Sequence, residues 1–371
     1  MDKIIVKRNK IGTAIAVGIV SVFIVVLAVI LLNKKEVDVT QYEKILTNQE
    51  SDAVSIDKIL SENGHYALIC NFLKNDKAET GVYLTDELGK VDLNNVDDML
   101  ILPGDIIENT YISFDGNKIA YIEYSLSDVC NWHVFDTSTQ ADVIIDSAKG
   151  DIRNKQNPRV YFYNDSIIYE KLDREEMVAK ICAYDIESRL NKVIYSFSID
   201  SEYISYGIDV ADGYMVASVN NDGLSLLKYN LETDEIKTID VQKKVDTIYS
   251  VKYAKENDSI IYYGAKKKRE KIVLVDNDGH NKTVYRVSSK DTVNNDDISY
   301  RDGKIYIDLV KWYDPISAWN YSLKAIDLDS KEKTSFDRVG DITLVDEGMI
   351  LLYYPENTTE WIDVYYVRDV K

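Results

Sequence analysis

Seven times between residues 60 and 350, a tight-turn dipeptide is followed at once by a short run rich in Tyr, Ile and Val. The dipeptides are Asn63-Gly64, Asp115-Gly116, Asn164-Asp165, Asp212-Gly213, Asn257-Asp258, Asp302-Gly303 and Glu347-Gly348, at spacings of 52, 49, 48, 45, 45 and 45 residues. Asn-Gly and Asp-Gly supply the positive φ that a two-residue hairpin needs, and Tyr, Ile and Val suit a half-buried pleated surface. The runs 65–69, 118–122, 166–169, 214–217, 259–263, 304–307 and 349–353 therefore read as strands. A second phrase keeps step with the first: an apolar run closed by Asp86, Asp136, Asp185, Asn230, Asp276 and Asp327, at intervals of 50, 49, 45, 46 and 51. Each closing residue starts a hairpin into an outer strand, such as 142–145, 192–195 or 282–285.

Four short strands per unit, repeated at this period, are the pattern of a β-propeller. One blade cannot bury both its faces, so the units must pack radially into one body. The expected fold is all-β: a seven-bladed β-propeller of four-stranded antiparallel blades, preceded by one N-terminal transmembrane α-helix. The last unit is short, because only four residues follow 364–367. Its outer strand is expected to come from about 36–46, so that both ends of the propeller meet in one blade.

The transmembrane reading rests on residues 11–32, which carry no charge and only Thr13 and Ser21 as hydroxyls. As a helix this stretch would span roughly 33 Å, enough for a hydrocarbon core of about 30 Å. It is longer than the apolar part of a cleavable signal and lacks a small-residue cleavage pattern, so it reads as an uncleaved signal anchor. Lys3, Lys7, Arg8 and Lys10 precede it, and Lys34 and Lys35 follow. That asymmetry puts a cytoplasmic tail at 1–10 and an extracytoplasmic body at 33–371, a single-pass arrangement in a cell membrane.

Composition narrows the partners. Of 44 basic and 63 acidic residues, six basic and one acidic lie before residue 36, which leaves the body with 38 and 62 and a net charge of −24. Such a body repels nucleic acid and anionic lipid, and no nucleic-acid partner is expected. Cys70, Cys130 and Cys182 are odd in number and lack zinc-type spacing, so neither a disulfide framework nor a structural metal is expected. Near-avoidance of cysteine and sparing use of proline are compatible with a bacterial surface.

The second unit, Ser113-Phe114-Asp115-Gly116-Asn117-Lys118-Ile119-Ala120-Tyr121, resembles the repeat of TolB-type and tricorn-type propellers. Those repeats write Ser-Pro-Asp-Gly, then a Lys-Ile-Ala-aromatic strand, then an apolar strand ending in Asp. Phe114 stands in place of the proline, and the other copies keep the turn but lose the lysine. The likeness covers most of residues 50–371 in period and pattern. It implies a propeller and protein or peptide partners; it implies no reaction.

Signatures of catalysis are missing. There is no G-x-S-x-G elbow, no H-E-x-x-H and no phosphate loop. His65, His133 and His280 fall in different units. Cys130 and His133 are three apart, which on a strand points them to opposite faces. Asp276-Asn277-Asp278-Gly279 has the look of a calcium loop, but His280, Asn281 and Lys282 continue it poorly, so a hairpin turn is the simpler reading. No cofactor, metal or catalytic residue is expected.

One segment exceeds what a blade needs. The loop expected between the second and third strands of the sixth unit, 311–321, carries two of the four tryptophans. Its residues Trp312, Tyr313, Asp314, Trp319 and Tyr321 are the expected partner contacts, against the plainer reading that they wall off the blade's core. The functional expectation is a non-catalytic binding or scaffolding module for a cell-envelope or surface protein or peptide. The alternative is a surface enzyme acting on glycans or peptides, with carboxylates converging in the central channel.

Overall fold

The computed structural model describes residues 34–49, 54–74, 77–93, 96–105, 107, 112–125, 129–149, 159–173, 176–199, 207–220, 223–241, 244–294, 297–313, 318–345, 348–355 and 361–368. The expected tail 1–10 and membrane span 11–32 lie outside these residues. Among the described residues no helix is long and apolar enough to cross a membrane.

The turns take the shape their residues dictate. Asn63, Asn164, Asp212, Asp258 and Asp302 adopt left-handed φ between 45° and 51°, and Gly64, Gly213 and Gly303 follow at 74–80°. Each turn joins an innermost strand to the second strand of its blade. The fourth blade shows the scheme from the inside out: Ile208–Ala211, Tyr214–Asn220, Leu224–Asn230 and Ile236–Asp240, all antiparallel. At the end of the third strand the closing residue caps the next turn. Asp136 accepts from the Ser138 and Thr139 N–H groups, Asn230 from Glu232 and Thr233, and Asp327 from Asp329 and Ser330, all at 2.8–3.0 Å. The first unit departs from this, since Asp86 bonds His65 Nδ1 at 2.6 Å and the outer strand shrinks to Leu100–Ile101.

Seven such sheets form a ring, and seven apolar clusters fill the seven gaps between neighbouring blades. The cluster between the first and last blades joins Val54, Ile56, Leu68 and Cys70 to Ile350, Leu352, Ile362 and Val364, so the ring is closed by a core like the others. All three cysteines are free and buried in these clusters. Burial pushes the Cys70 thiol up to about 12 and the Cys182 thiol to about 11, which makes them inert packing groups.

The outer strand of the seventh blade is Glu43–Gln49, antiparallel to Trp361–Arg368. Buried Asp363 takes the Lys44 ammonium at 3.1 Å and the Thr47 hydroxyl at 2.7 Å across this seam. Of the segment expected to close the ring, residues 43–46 lie in this strand, while 36–37 lie elsewhere. They belong to Lys34–Val37, which adds in parallel to the outer strand Lys333–Asp337 of the sixth blade. The chain thus straps two adjacent blades before it enters the ring, and the sixth blade gains an extra edge strand.

Candidate functional site

The innermost strands all run toward the face that carries the tight turns, and they line the central channel. Counting five residues back from the turn dipeptides reaches Lys58, Arg159, Gly207, Lys252, Asp297 and Ile342 in the first, third, fourth, fifth, sixth and seventh blades. Equivalent positions on strands that converge on one axis must meet, and here four of the six carry charge. This recurrence was present in the sequence, but a lone Lys or Asp on a short strand reads as an ordinary solvated residue until the ring brings the copies together.

Arg159 reaches from the third blade across the channel to Asp297 of the sixth, Nη1 to Oδ1 at 3.1 Å. Its path crosses Gly207, where an added Cβ would lie 2.7 Å from the Arg159 Nε. Lys252 stands 3.6 Å from the same Asp297 oxygen and 3.5 Å from Asp209. The Ser250 hydroxyl also donates to Asp297, and the Tyr253 N–H donates to Asp209 at 2.9 Å. Burial alone would raise the Asp297 carboxyl and lower the Lys252 ammonium. Arg159 and Lys252 outweigh it on Asp297, which is held well below the usual carboxylate range, and the facing carboxylates hold Lys252 above its ordinary value. Lys58 is different: burial pushes it down, and Asp341 and Asp297 offset this only in part.

This charged layer is the floor of a cavity of about 420 Å³. Its lining runs only from the layer toward the turn face: 58–62, 112–114, 159–161, 209, 211, 252–253, 297, 299–300 and 342–344. The cavity is therefore a funnel that opens among the tight turns and is barred beneath by the Arg159–Asp297 pair.

Behind the floor sits a second polar group. Asp341 precedes Ile342 on the innermost strand of the seventh blade, and Asp308 lies on the second strand of the sixth. Burial, and then the charge of Asp341 and Asp297, holds the Asp308 carboxyl well above its usual range. Its Oδ1 is buried without a hydrogen-bond partner. Asp341 is raised as well, by burial first, against the opposing pull of Lys58. Two carboxyls that share a site this way resist joint ionisation.

Within the segment expected as a loop at 311–321, residues 311–313 and 318–321 are strand. Strands Lys304–Tyr313 and Ala318–Asp327 pair along their whole length, with Trp312 opposite Trp319 and Tyr313 opposite Ala318; Asp314 lies outside the described residues. Pairing on the outer side ends at Ser322 with Asp337, and on the inner side at Val310 with Thr292. The end of the hairpin is thus a two-stranded ribbon that runs past the blade. Trp and Tyr favour extended backbone, in keeping with strand at 311–313 and 318–321. Tyr321 is separate: its ring stacks on Tyr354 at 4.5 Å, against Gly340, and packs the sixth blade onto the seventh. Because second strands run away from the turns, the ribbon projects from the face opposite the funnel's mouth.

The other sequence candidates fall into structural roles. Cys130 is buried in the core between the second and third blades, while His133 stacks on Tyr121 and bonds Asp142 at 2.8 Å. They form no pair. Asp276, Asp278 and His280 bring ligand atoms within 4.8 Å of one another on an exposed turn. Asp276 there already accepts the Asp278 and His280 N–H groups and meets the His280 ring at 3.0 Å, which is turn chemistry.

The sequence matches no family model and no curated protein. Solved structures do match in shape. The β-propeller domain of the trilobed protease from Pyrococcus furiosus superposes with a TM-score of 0.56 at 16% identity, over 86% of this chain and 94% of that one. Acylaminoacyl peptidase from Pyrococcus horikoshii gives 0.53 at 16%, over 85% of this chain and 51% of that one. An oligogalacturonate lyase gives 0.51 at 10%, over 89% and 96%. The likeness is one of fold. The ring that the TolB-type and tricorn-type resemblance implied is the ring observed. The trilobed-protease domain is described as having an open velcro topology, whereas here Glu43–Gln49 pairs with Trp361–Arg368.

Proposed function

We propose that this chain is a membrane-anchored, non-catalytic binding module that presents its propeller outside a bacterial cell to an envelope or surface protein or peptide. The observation that carries this reading is the ribbon at 311–321, which extends past its own blade with two tryptophans at one register position. Within the funnel, Asp209 and Asp297 are engaged by Lys252 and Arg159, which suits a scaffold better than an acid–base pair. The anchor at 11–32 and the outside position of the propeller rest on the apolar run and its basic flanks.

The test is crosslinking on intact cells with the wild type and with Trp312→Ala/Trp319→Ala. Loss of a specific captured protein in the variant, with unchanged thermal unfolding, supports the ribbon. Undiminished capture of the same protein removes it from the contact.

A surface enzyme remains the second reading, favoured by one observation: Asp308 and Asp341 are two carboxyls held above the usual range behind the funnel floor. Glycan or peptide hydrolysis that persists in Asp308→Asn would dispose of it.

A further inference from the structure

We propose that the turn end of the sixth blade, where Lys34–Val37 joins it, is the surface that meets lipid headgroups. The propeller then stands with its turn face toward the bilayer and its ribbon away from it. This rests on the membrane anchor proposed above and adds what an anchor alone leaves open, which way the ring faces.

The register and direction of the strap carry the inference. Lys34 lies opposite Lys333 and Val37 opposite Phe336, in parallel. Lys333 pairs with Ile326, and the next residue, Asp327, pairs with Lys304 directly after the Asp302-Gly303 turn. Lys34 is thus at the turn end of the blade, and the strand that starts there runs away from the turn face. A strand with that direction is entered from the turn side. Only Asn33 separates Lys34 from the apolar run 11–32. Two Cα steps cover at most about 7 Å, so the bilayer that holds the run lies against this end of the sixth blade. The other end of the ten-residue second strand, Lys304–Tyr313, is about 30 Å away, out of reach of one linking residue.

Charge singles out the same edge. The two turns of the sixth blade, 301–304 and 327–333, hold four basic and four acidic residues. Lys34, Lys35 and Glu36 add one net positive charge. The matching turns of the fourth blade, 211–214 and 230–236, hold four acidic residues and no Lys or Arg, and so do those of the fifth, 256–259 and 276–281. In a body of net charge −24, the edge that the strap brings to the bilayer is close to neutral. An acidic edge there would be repelled by lipid phosphate. The ribbon is then free to meet a partner from outside, whereas the funnel opens on the narrow space over the lipid.

The experiment begins with carbonate extraction of membranes from cells that express the full-length chain. Retention supports the anchor, and release overturns the anchor and the orientation together. The chain is then placed in phosphatidylcholine nanodiscs containing a lipid with a nitroxide on its headgroup. A fluorophore is attached at Asp329→Cys, on the closing turn of the sixth blade, or at Lys267→Cys, on the hairpin at the far end of the fifth. Both positions are exposed, and the three native cysteines are buried. The eight-residue strand Ser259–Lys266 puts Lys267 about 24 Å beyond the turn face, so its label should keep its fluorescence while that at Asp329→Cys loses about half. A Gly/Ser insert of about 20 residues between Asn33 and Lys34, with ends about 25 Å apart on average, should keep the chain in the disc and abolish the contrast between the two labels. Equal quenching at the two positions, stronger quenching at Lys267→Cys, or a contrast that survives the insert overturns the orientation while the anchor stands.

Discussion

Asp297→Asn removes the charge at the centre of the channel floor and keeps the shape of the side chain. Asn can still accept from Ser250 and from the Ile298 N–H, at 2.8 Å in the native chain, so the loss is electrostatic. It takes one charged partner from the buried Arg159 side chain, 3% exposed, while Lys252 retains Asp209 at 3.5 Å. Breaking a buried pair by removing one partner costs about 3–5 kcal/mol. Asp297 is 31% exposed and water screens part of its field, so the low end applies, about 2–3 kcal/mol. For a domain of this size that is a fall in Tm of about 3–4 °C. The pair is also testable as a cycle: Arg159→Met with Asp297→Asn should cost less than the two singles together, by about 1–3 kcal/mol. The pH dependence fixes the sign. The folded Asp297 carboxyl lies below its unfolded value of 3.8, so its contribution is present above that pH and fades as pH falls through the lower folded value. The gap between wild type and variant, read by urea unfolding, should therefore be full at pH 7 and shrink below about pH 4. A cost under about 0.5 kcal/mol, or strict additivity in the cycle, would refute a floor held by trans-channel charge.

Truncation separates the two straps. Of the described strands, removing residues 1–37 deletes the extra edge strand of the sixth blade, whereas removing 1–49 also strips the outer strand of the seventh, so thermal unfolding should fall far more in the second. Asp308→Asn runs opposite to Asp297→Asn: its folded carboxyl is raised, so the native state disfavours ionisation as pH rises above the unfolded value. The variant should melt higher than wild type at pH 7, with the difference gone below about pH 4; a lower melting point at pH 7 would contradict it. Gly340→Ala places a methyl against the Tyr321 and Tyr354 rings and should cost about 1–3 kcal/mol in chemical unfolding. Gly303→Ala meets no atom within 4 Å but sits at φ 74°, so about 1 kcal/mol is expected there from backbone strain alone.

The fold was legible because its information is local. Asn63-Gly64 and Asp212-Gly213 state a turn, the Tyr, Ile and Val after them state a strand, and Asp136 or Asp327 states the next turn, all within a few residues. The outer strand of the seventh blade comes from the other end of the described chain, Glu43–Gln49. The position of that strand was less clear, since 36–46 offers no strong periodicity and the ladder itself sets the register at 43–49. The extra length of the segment 311–321 suggests a loop, whereas the ladder between the second and third strands of the sixth blade continues to Tyr313 and Ala318.

The amino-acid order alone thus determined the number of blades, their strand content and the acidic balance of the surface, because turns, pleats and net charge depend on neighbours in the chain or on simple sums. Only the tertiary structure decided what stands in the channel. Lys58, Arg159, Lys252 and Asp297 are separated by 45 to 101 residues in their successive gaps and share nothing but a distance from a turn. Closing the ring brings those equal distances to one height on one axis, where burial and opposite charge turn four ordinary residues into a floor.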